Sequence, residues 1–126
     1  MNLSKLLLVH AVLTFAAGVV LLIAPGAIPQ SVGIDLDQRA YLLSYLLGAA
    51  EMSVAFLSYF GRTLRDVRAL RLLSQTFVAF HLLSAMVEIY AFAQGANAVI
   101  LTNVGIRILA AALFAYYGIY VTIHET

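Results

Sequence analysis

The chain has 126 residues, 63% of them hydrophobic and only 10% charged, a composition that excludes an ordinary soluble globular domain. Its formal net charge of +1 offers no electrostatic basis for a nucleic-acid partner. The lack of cysteine rules out disulfides, thiolate nucleophiles and cysteine-ligated metal sites.

A helix that crosses a bilayer needs about 20 apolar residues, so four spans take up most of this chain. The expected fold is all-α: one integral membrane domain, residues 1–126, built as an antiparallel up-down bundle of four transmembrane helices. The first span runs from about Leu3 to Ala24 and stops at Pro25-Gly26, a pair that breaks helices. A cleaved signal peptide is the competing reading of this segment. The apolar run exceeds the roughly 7–15 residues of a typical signal-peptide core, which favours a span. The connection from Pro25 to Arg39 holds Asp35 and Gln38, spaced as a helix N-cap and its reciprocal partner.

The second span covers about residues 40–60 and ends at Gly61. Residues 61–71 follow as a basic hinge carrying Arg62, Arg65, Arg68 and Arg71. Within it, Thr63 and Asp66 have capping-box spacing, so the third helix is expected over about 67–93. Gly95 suits the position just past that helix, and Asn97 suits the cap of the next. The fourth span is expected over about 98–123.

The other two connections carry only Arg39 between them, so the positive-inside rule puts the hinge, and with it both termini, in the cytoplasm. Tyr41, Tyr45 and Tyr90 then fall at the outer interface, and Tyr59, Tyr116, Tyr117 and Tyr120 at the inner one. The expected location is a cell membrane, that of a bacterial inner membrane in particular. The arginine run reads as a solvated anchor drawn to the leaflet by roughly 1 kcal/mol per residue. Binding of a specific anionic lipid or a partner is the sharper alternative.

Five ionisable side chains lie inside the spans: His10, Glu51, His81, Glu88 and Arg107. A charge at the bilayer centre costs at least roughly 2.5–3.5 kcal/mol, so such groups turn inward and pair. Steps of three and four residues place side chains on one helix face. They align Ser74, Phe77, His81, Ser84 and Glu88 on the third span, and Asn103, Arg107, Ala110 or Ala111, Phe114 and Gly118 on the fourth. The second span contributes Ser44, Gly48, Glu51, Ala55 and Ser58; the first, His10, Thr14 and Gly18. Gly48, Ala55, Thr14 and Gly18 read as close-packing residues.

At about 1.5 Å per residue from the cytoplasmic ends, His10 lies roughly 10 Å deep, Glu51 roughly 14 Å, His81 about 17 Å, Arg107 about 21 Å and Glu88 about 25 Å. Arg107 is therefore expected to pair with Glu88 or Glu51, the second acid being protonated or held by His81. Glu51, His81 and Glu88 are the candidate acid–base groups. Arg107, Asn103, Ser84, Ser44 and His10 are the candidate ligand contacts, with His10 tending toward a packing or headgroup-facing role. His81 and Glu88 stand about 10.5 Å apart along their helix, too far to share one ion, and no Glu-x-x-His pair is present. No metal or cofactor is expected.

The segments Gly18-Val19-Val20-Leu21-Leu22-Ile23-Ala24-Pro25 and Leu46-Leu47-Gly48-Ala49-Ala50, with Gly61-Arg62 after them, resemble a pattern in small bacterial four-span proteins loosely grouped as DoxX-like. The resemblance covers about the first half of the chain. It implies a four-span membrane protein and carries over no catalytic residue, because most such proteins lack an assigned activity. Small multidrug exporters place an essential glutamate in their first span, where this chain has His10 and no carboxylate.

Three functions follow as expectations. The first is a pocket that binds a lipophilic small molecule, such as a quinone, isoprenoid or other lipid, with acid–base chemistry on it as an extension. The second is an accessory or structural subunit whose polar cluster only locks helices and whose outer faces dock a second copy or another membrane subunit. The third is a proton-coupled carrier.

Overall fold

The computed structural model describes residues 2–121, and all regular structure among them is helical. The helices are α1 (Leu3–Ile23), α2 (Ala27–Ser31), α3 (Tyr41–Gly61), α4 (Val67–Ala93) and α5 (Ile100–Phe114), the last continued by a π-helical stretch over Ala115–Tyr120. Four helical segments are long and apolar enough to cross a membrane: Leu3–Ile23, Tyr41–Gly61, Val67–Ala93 and Ile100–Tyr120. At 1.5 Å per residue, 21 residues reach about 31 Å, the thickness of a hydrocarbon core. The chain is a multi-pass membrane protein. Its large apolar side chains agree: Leu42, Leu43, Leu46 and Phe60 on α3 are each at least 60% exposed, which acyl chains tolerate and water does not. The expected end of the fourth span, Ile123, lies outside the described residues.

The chain divides into two compact units, residues 7–62 and residues 1–6 with 63–126. In the first, α1 and α3 run antiparallel. His10 meets Ser58, Gly18 meets Gly48, and the carbonyl of Pro25 meets Ser44, so partners descend along one helix as they ascend along the other. The contact is close because the facing residues are small. A Cβ added at Gly18 would sit 2.9 Å from the Gly48 carbonyl oxygen, and one at Gly48 would sit 3.0 Å from that of Gly18. Apolar helices gain little by hiding from equally apolar lipid, so this backbone approach is what dispersion and polar contacts can exploit. All five stripe residues of α3, Ser44, Gly48, Glu51, Ala55 and Ser58, are buried.

α3 does not take its cap from Asp35 and Gln38. Asp37 accepts instead from the Arg39 and Ala40 amides, at 2.8 and 3.0 Å, because the turn over residues 38–40 precedes the helix and Asp37 is the carboxylate within reach. The Thr63–Asp66 capping box is likewise corrected. Asp66 is itself the cap of α4, in extended conformation, accepting from the Arg68 and Ala69 amides at 2.7 and 3.4 Å. Asp66→Ala is expected to lower unfolding stability in detergent by about 1 kcal/mol; no loss would show that the hinge satisfies those amides in another way.

In the second unit α4 and α5 form an antiparallel hairpin. Glu88 faces Asn103 and Arg107, Phe77 faces Phe114, and Ser74 faces Gly118. The reversal between them is a Schellman turn: the Ala96 amide bonds the Ala91 carbonyl and the Gly95 amide that of Phe92, both at 3.0 Å. Gly95 takes φ +109°, a conformation costly for any residue with a Cβ. Asn97 is not the cap of α5, which is Val99; it accepts from the Val99 amide at 3.0 Å in the turn over residues 98–99 that precedes the helix.

Candidate functional site

The second hairpin brings four of the candidate residues to one place. Glu88 projects from α4 two turns beyond His81, and Asn103 and Arg107 from α5 are one turn apart, so both can reach it. The Asn103 Nδ2 donates to Glu88 Oε1 at 2.6 Å, and the Arg107 Nε donates to the same oxygen at 2.7 Å. Of the two acids expected as partners of Arg107, Glu88 is the one that pairs with it. The side chains of Arg107 and Glu88 are 19% and 16% exposed, so their charge-assisted bond is mostly withdrawn from the surroundings. The guanidinium also lies over the ring of Phe80, its Cζ 5.7 Å from the centroid, within cation–π range.

The geometry is single-pronged rather than forked. Both donors converge on Oε1, leaving the buried Glu88 Oε2 without a hydrogen-bond partner among the described residues. Such an acceptor costs about 1–3 kcal/mol, more when charged, unless something donates to it. A cleft of about 300 Å³ opens beside it, lined by Leu83, Ser84, Val87, Glu88 and Arg107. Glu88, Arg107 and Ser84 thus bring a carboxylate, a guanidinium and a hydroxyl to one largely apolar recess. Chemically, the recess can accept a hydrogen bond or proton at Glu88 and steady a carbonyl or anionic oxygen at Arg107.

His81 lies on the same face of α4 but in an aromatic cluster. It is 6% exposed, stacked on Phe114 at 6.2 Å and 14°, with the Phe80 ring edge-on at 5.2 Å. Phe114 packs in turn on Phe77 at 5.0 Å. Among the described residues, no three His, Asp or Glu side chains come together to hold a metal ion.

The remaining candidates belong to the first unit. His10 is buried, with its Nδ1 2.7 Å from Ser58 Oγ. Ser58 donates its own proton to the Val54 carbonyl at 2.9 Å, so its oxygen accepts and His10 carries a proton on Nδ1. His10 therefore ties α1 to α3 and does not face headgroups. Ser44 donates to the Pro25 carbonyl at 2.8 Å, satisfying a group exposed where proline ends the first helix. Glu51 is 7% exposed on the buried face of α3, between Gly48 and Ala55.

Phe80 is the site residue that stripe analysis misses. It lies three residues after Phe77 and four before Ser84, so the helical spacing admits it as readily as His81, but an apolar ring in a membrane-length helix gives no polar signal of a site. No protein-family model, curated protein or solved structure matches this chain.

Proposed function

We propose that the α4–α5 recess binds a lipophilic small molecule with a polar head, in the class of quinones, isoprenoids and other lipids. The observation that carries this is Glu88 Oε2, a buried acceptor without a donor, beside the cleft that Arg107 and Ser84 also line. A hydroxyl on the ligand would donate to Oε2 while Arg107 orients a neighbouring oxygen. Acid–base chemistry at Glu88 is the extension of that contact. The setting proposed with it is a bacterial inner membrane and an up-down four-helix bundle with both termini cytoplasmic. The arginine-rich hinge and the likeness to small bacterial four-span proteins support that setting.

A second reading has its own support. Asn103 and Arg107 both cross the hairpin to one oxygen, a geometry that fixes the register of α4 against α5 whether or not a ligand binds. On that reading the protein is an accessory subunit whose outer faces dock a second copy or another membrane protein. Ser84→Leu separates the two, because it fills the recess without touching the ion pair. Full-length protein should be purified in mild detergent and its organic extract compared by mass spectrometry with total membrane lipid. The binding reading expects one compound enriched in the wild-type extract and lost from Ser84→Leu and Glu88→Gln. Indistinguishable extracts from all three proteins would leave only the register role. A pH-gradient-driven flux in liposomes, abolished by Glu88→Gln, would move the assignment to a proton-coupled carrier.

A further inference from the structure

A second recess lies on the first hairpin, and the Glu88–Arg107 site takes no part in it. It has a volume of about 430 Å³. Its floor is made by Ala11 of α1 and Ala55 of α3, where missing side-chain volume hollows the surface. Its walls are aromatic. Phe15 meets Phe56 edge-on at 6.4 Å, Phe56 stacks with Phe60 at 6.5 Å, and Tyr59 meets Phe60 at 5.4 Å. Val12, Phe56, Tyr59 and Phe60 each remain more than half exposed, so the walls stand open to whatever surrounds the helices.

Two features identify the occupant. The groove extends along α1 from Ala16 to Leu8, which puts its far end about ten residues of helix, or roughly 15 Å, from the level of Arg62. That is close to half of a hydrocarbon core of about 30 Å, the depth of a single leaflet. A partner helix or a second copy would pack along a whole span, whereas an acyl chain needs one leaflet. The other feature is charge. Arg62 closes α3, and its Cζ lies 5.6 Å from the centroid of Tyr59, a wall of the groove. A cation thus stands at the mouth of a leaflet-deep apolar channel.

We propose that this groove holds one acyl chain of an anionic glycerophospholipid whose phosphate is met by Arg62. The aliphatic chain lies on Ala11 and Ala55 between the aromatic walls, and the Tyr59 ring steadies the guanidinium at headgroup level. This differs from the diffuse attraction of a basic hinge to a charged leaflet, because it requires a particular arginine and a particular groove.

The test is native mass spectrometry of the full chain released from micelles containing equal amounts of phosphatidylglycerol and phosphatidylcholine with identical acyl chains. Wild-type protein should retain one phosphatidylglycerol in preference to phosphatidylcholine by about fivefold, the contribution of one basic residue near a membrane surface. Arg62→Gln should bring that ratio close to one. Val12→Trp, a change at a residue 60% exposed, should fill the groove and lower retention of both lipids while helicity stays intact. Arg65→Gln, in the same hinge, should leave the ratio within twofold of wild type. Equal retention of the two lipids by wild-type protein would overturn the proposal. So would equal losses from Arg62→Gln and Arg65→Gln, which would mean diffuse attraction, or a lipid-free dimer that Val12→Trp dissociates, which would mean a second copy in the groove.

Discussion

Glu88→Leu is expected to destabilise the second hairpin by about 3–5 kcal/mol, because it leaves the Arg107 guanidinium largely enclosed with no carboxylate against it. The Phe80 ring and the Asn103 amide cannot replace the acid: one gives a cation–π contact, and the other is itself a donor left without its acceptor. The double replacement Glu88→Leu with Arg107→Leu should recover most of the loss. Two leucines of similar bulk cost little inside a lipid-facing hairpin, whereas one uncompensated charge costs much. Denaturant unfolding in a fixed detergent, run as a four-member cycle, measures the coupling directly. A double variant as unstable as the single would show that the loss comes from packing and not from the pair. Glu88→Gln should fall between, since its amide oxygen still accepts from Arg107 and Asn103 but lacks the charge.

The second large effect is expected at Gly118. A Cβ built there collides with both Oγ and Cβ of Ser74. Ser74 cannot step aside: it is 1% exposed, and its hydroxyl donates to the Leu70 carbonyl at 2.8 Å. Gly118→Ala should therefore cost about 1–3 kcal/mol through overpacking. Moving the methyl-sized volume across the interface tests this cause, since Gly118→Ala combined with Ser74→Gly should be more stable than Gly118→Ala alone. If the pair proves additive, Gly118 is needed for the backbone of the π-helical turn and not for space. That turn is one more residue wide than an α-helical turn, and it spans the stretch that carries Gly118. Gly18 in the first hairpin faces a different obstacle. Its added Cβ meets Met52 Cγ at 2.6 Å, a flexible group, but also the fixed carbonyl oxygen of Gly48.

These two variants mark the boundary between what was legible in the chain and what was not. Glu88 and Arg107 announce a pairing because lipid does not accept bare charge, and that argument needs only their positions in apolar segments. The choice of Glu88 over Glu51 needs the rotation of α4 about α5, which many side-chain contacts decide together. Gly118 reads as a small residue on a stripe, but its close approach to Ser74 is set by the packing of the two helices, and no residue type in Ala115–Tyr120 signals the π-helical stretch that carries it. The caps show the same division. Gly95 acts where expected because a tight reversal leaves one geometry, whereas Asp37 displaces Asp35 and Val99 replaces Asn97 at the helix cap because each helix is preceded by an additional turn.

From sequence alone came four membrane-length helices, most of their punctuation, the stripe found buried on α3, and the buried Ser74, Phe77 and His81 of the stripe on α4. Hydropathy, helical period and backbone breakers act over a few residues, so the chain displays them directly. Only the folded structure decided that Glu88 serves two donors through one oxygen, that Phe80 underlies Arg107, and that Ala11 and Ala55 hollow a groove ending near Arg62. Each of those joins residues far apart along the chain, and small changes in helix rotation, spacing or turn width would have joined others.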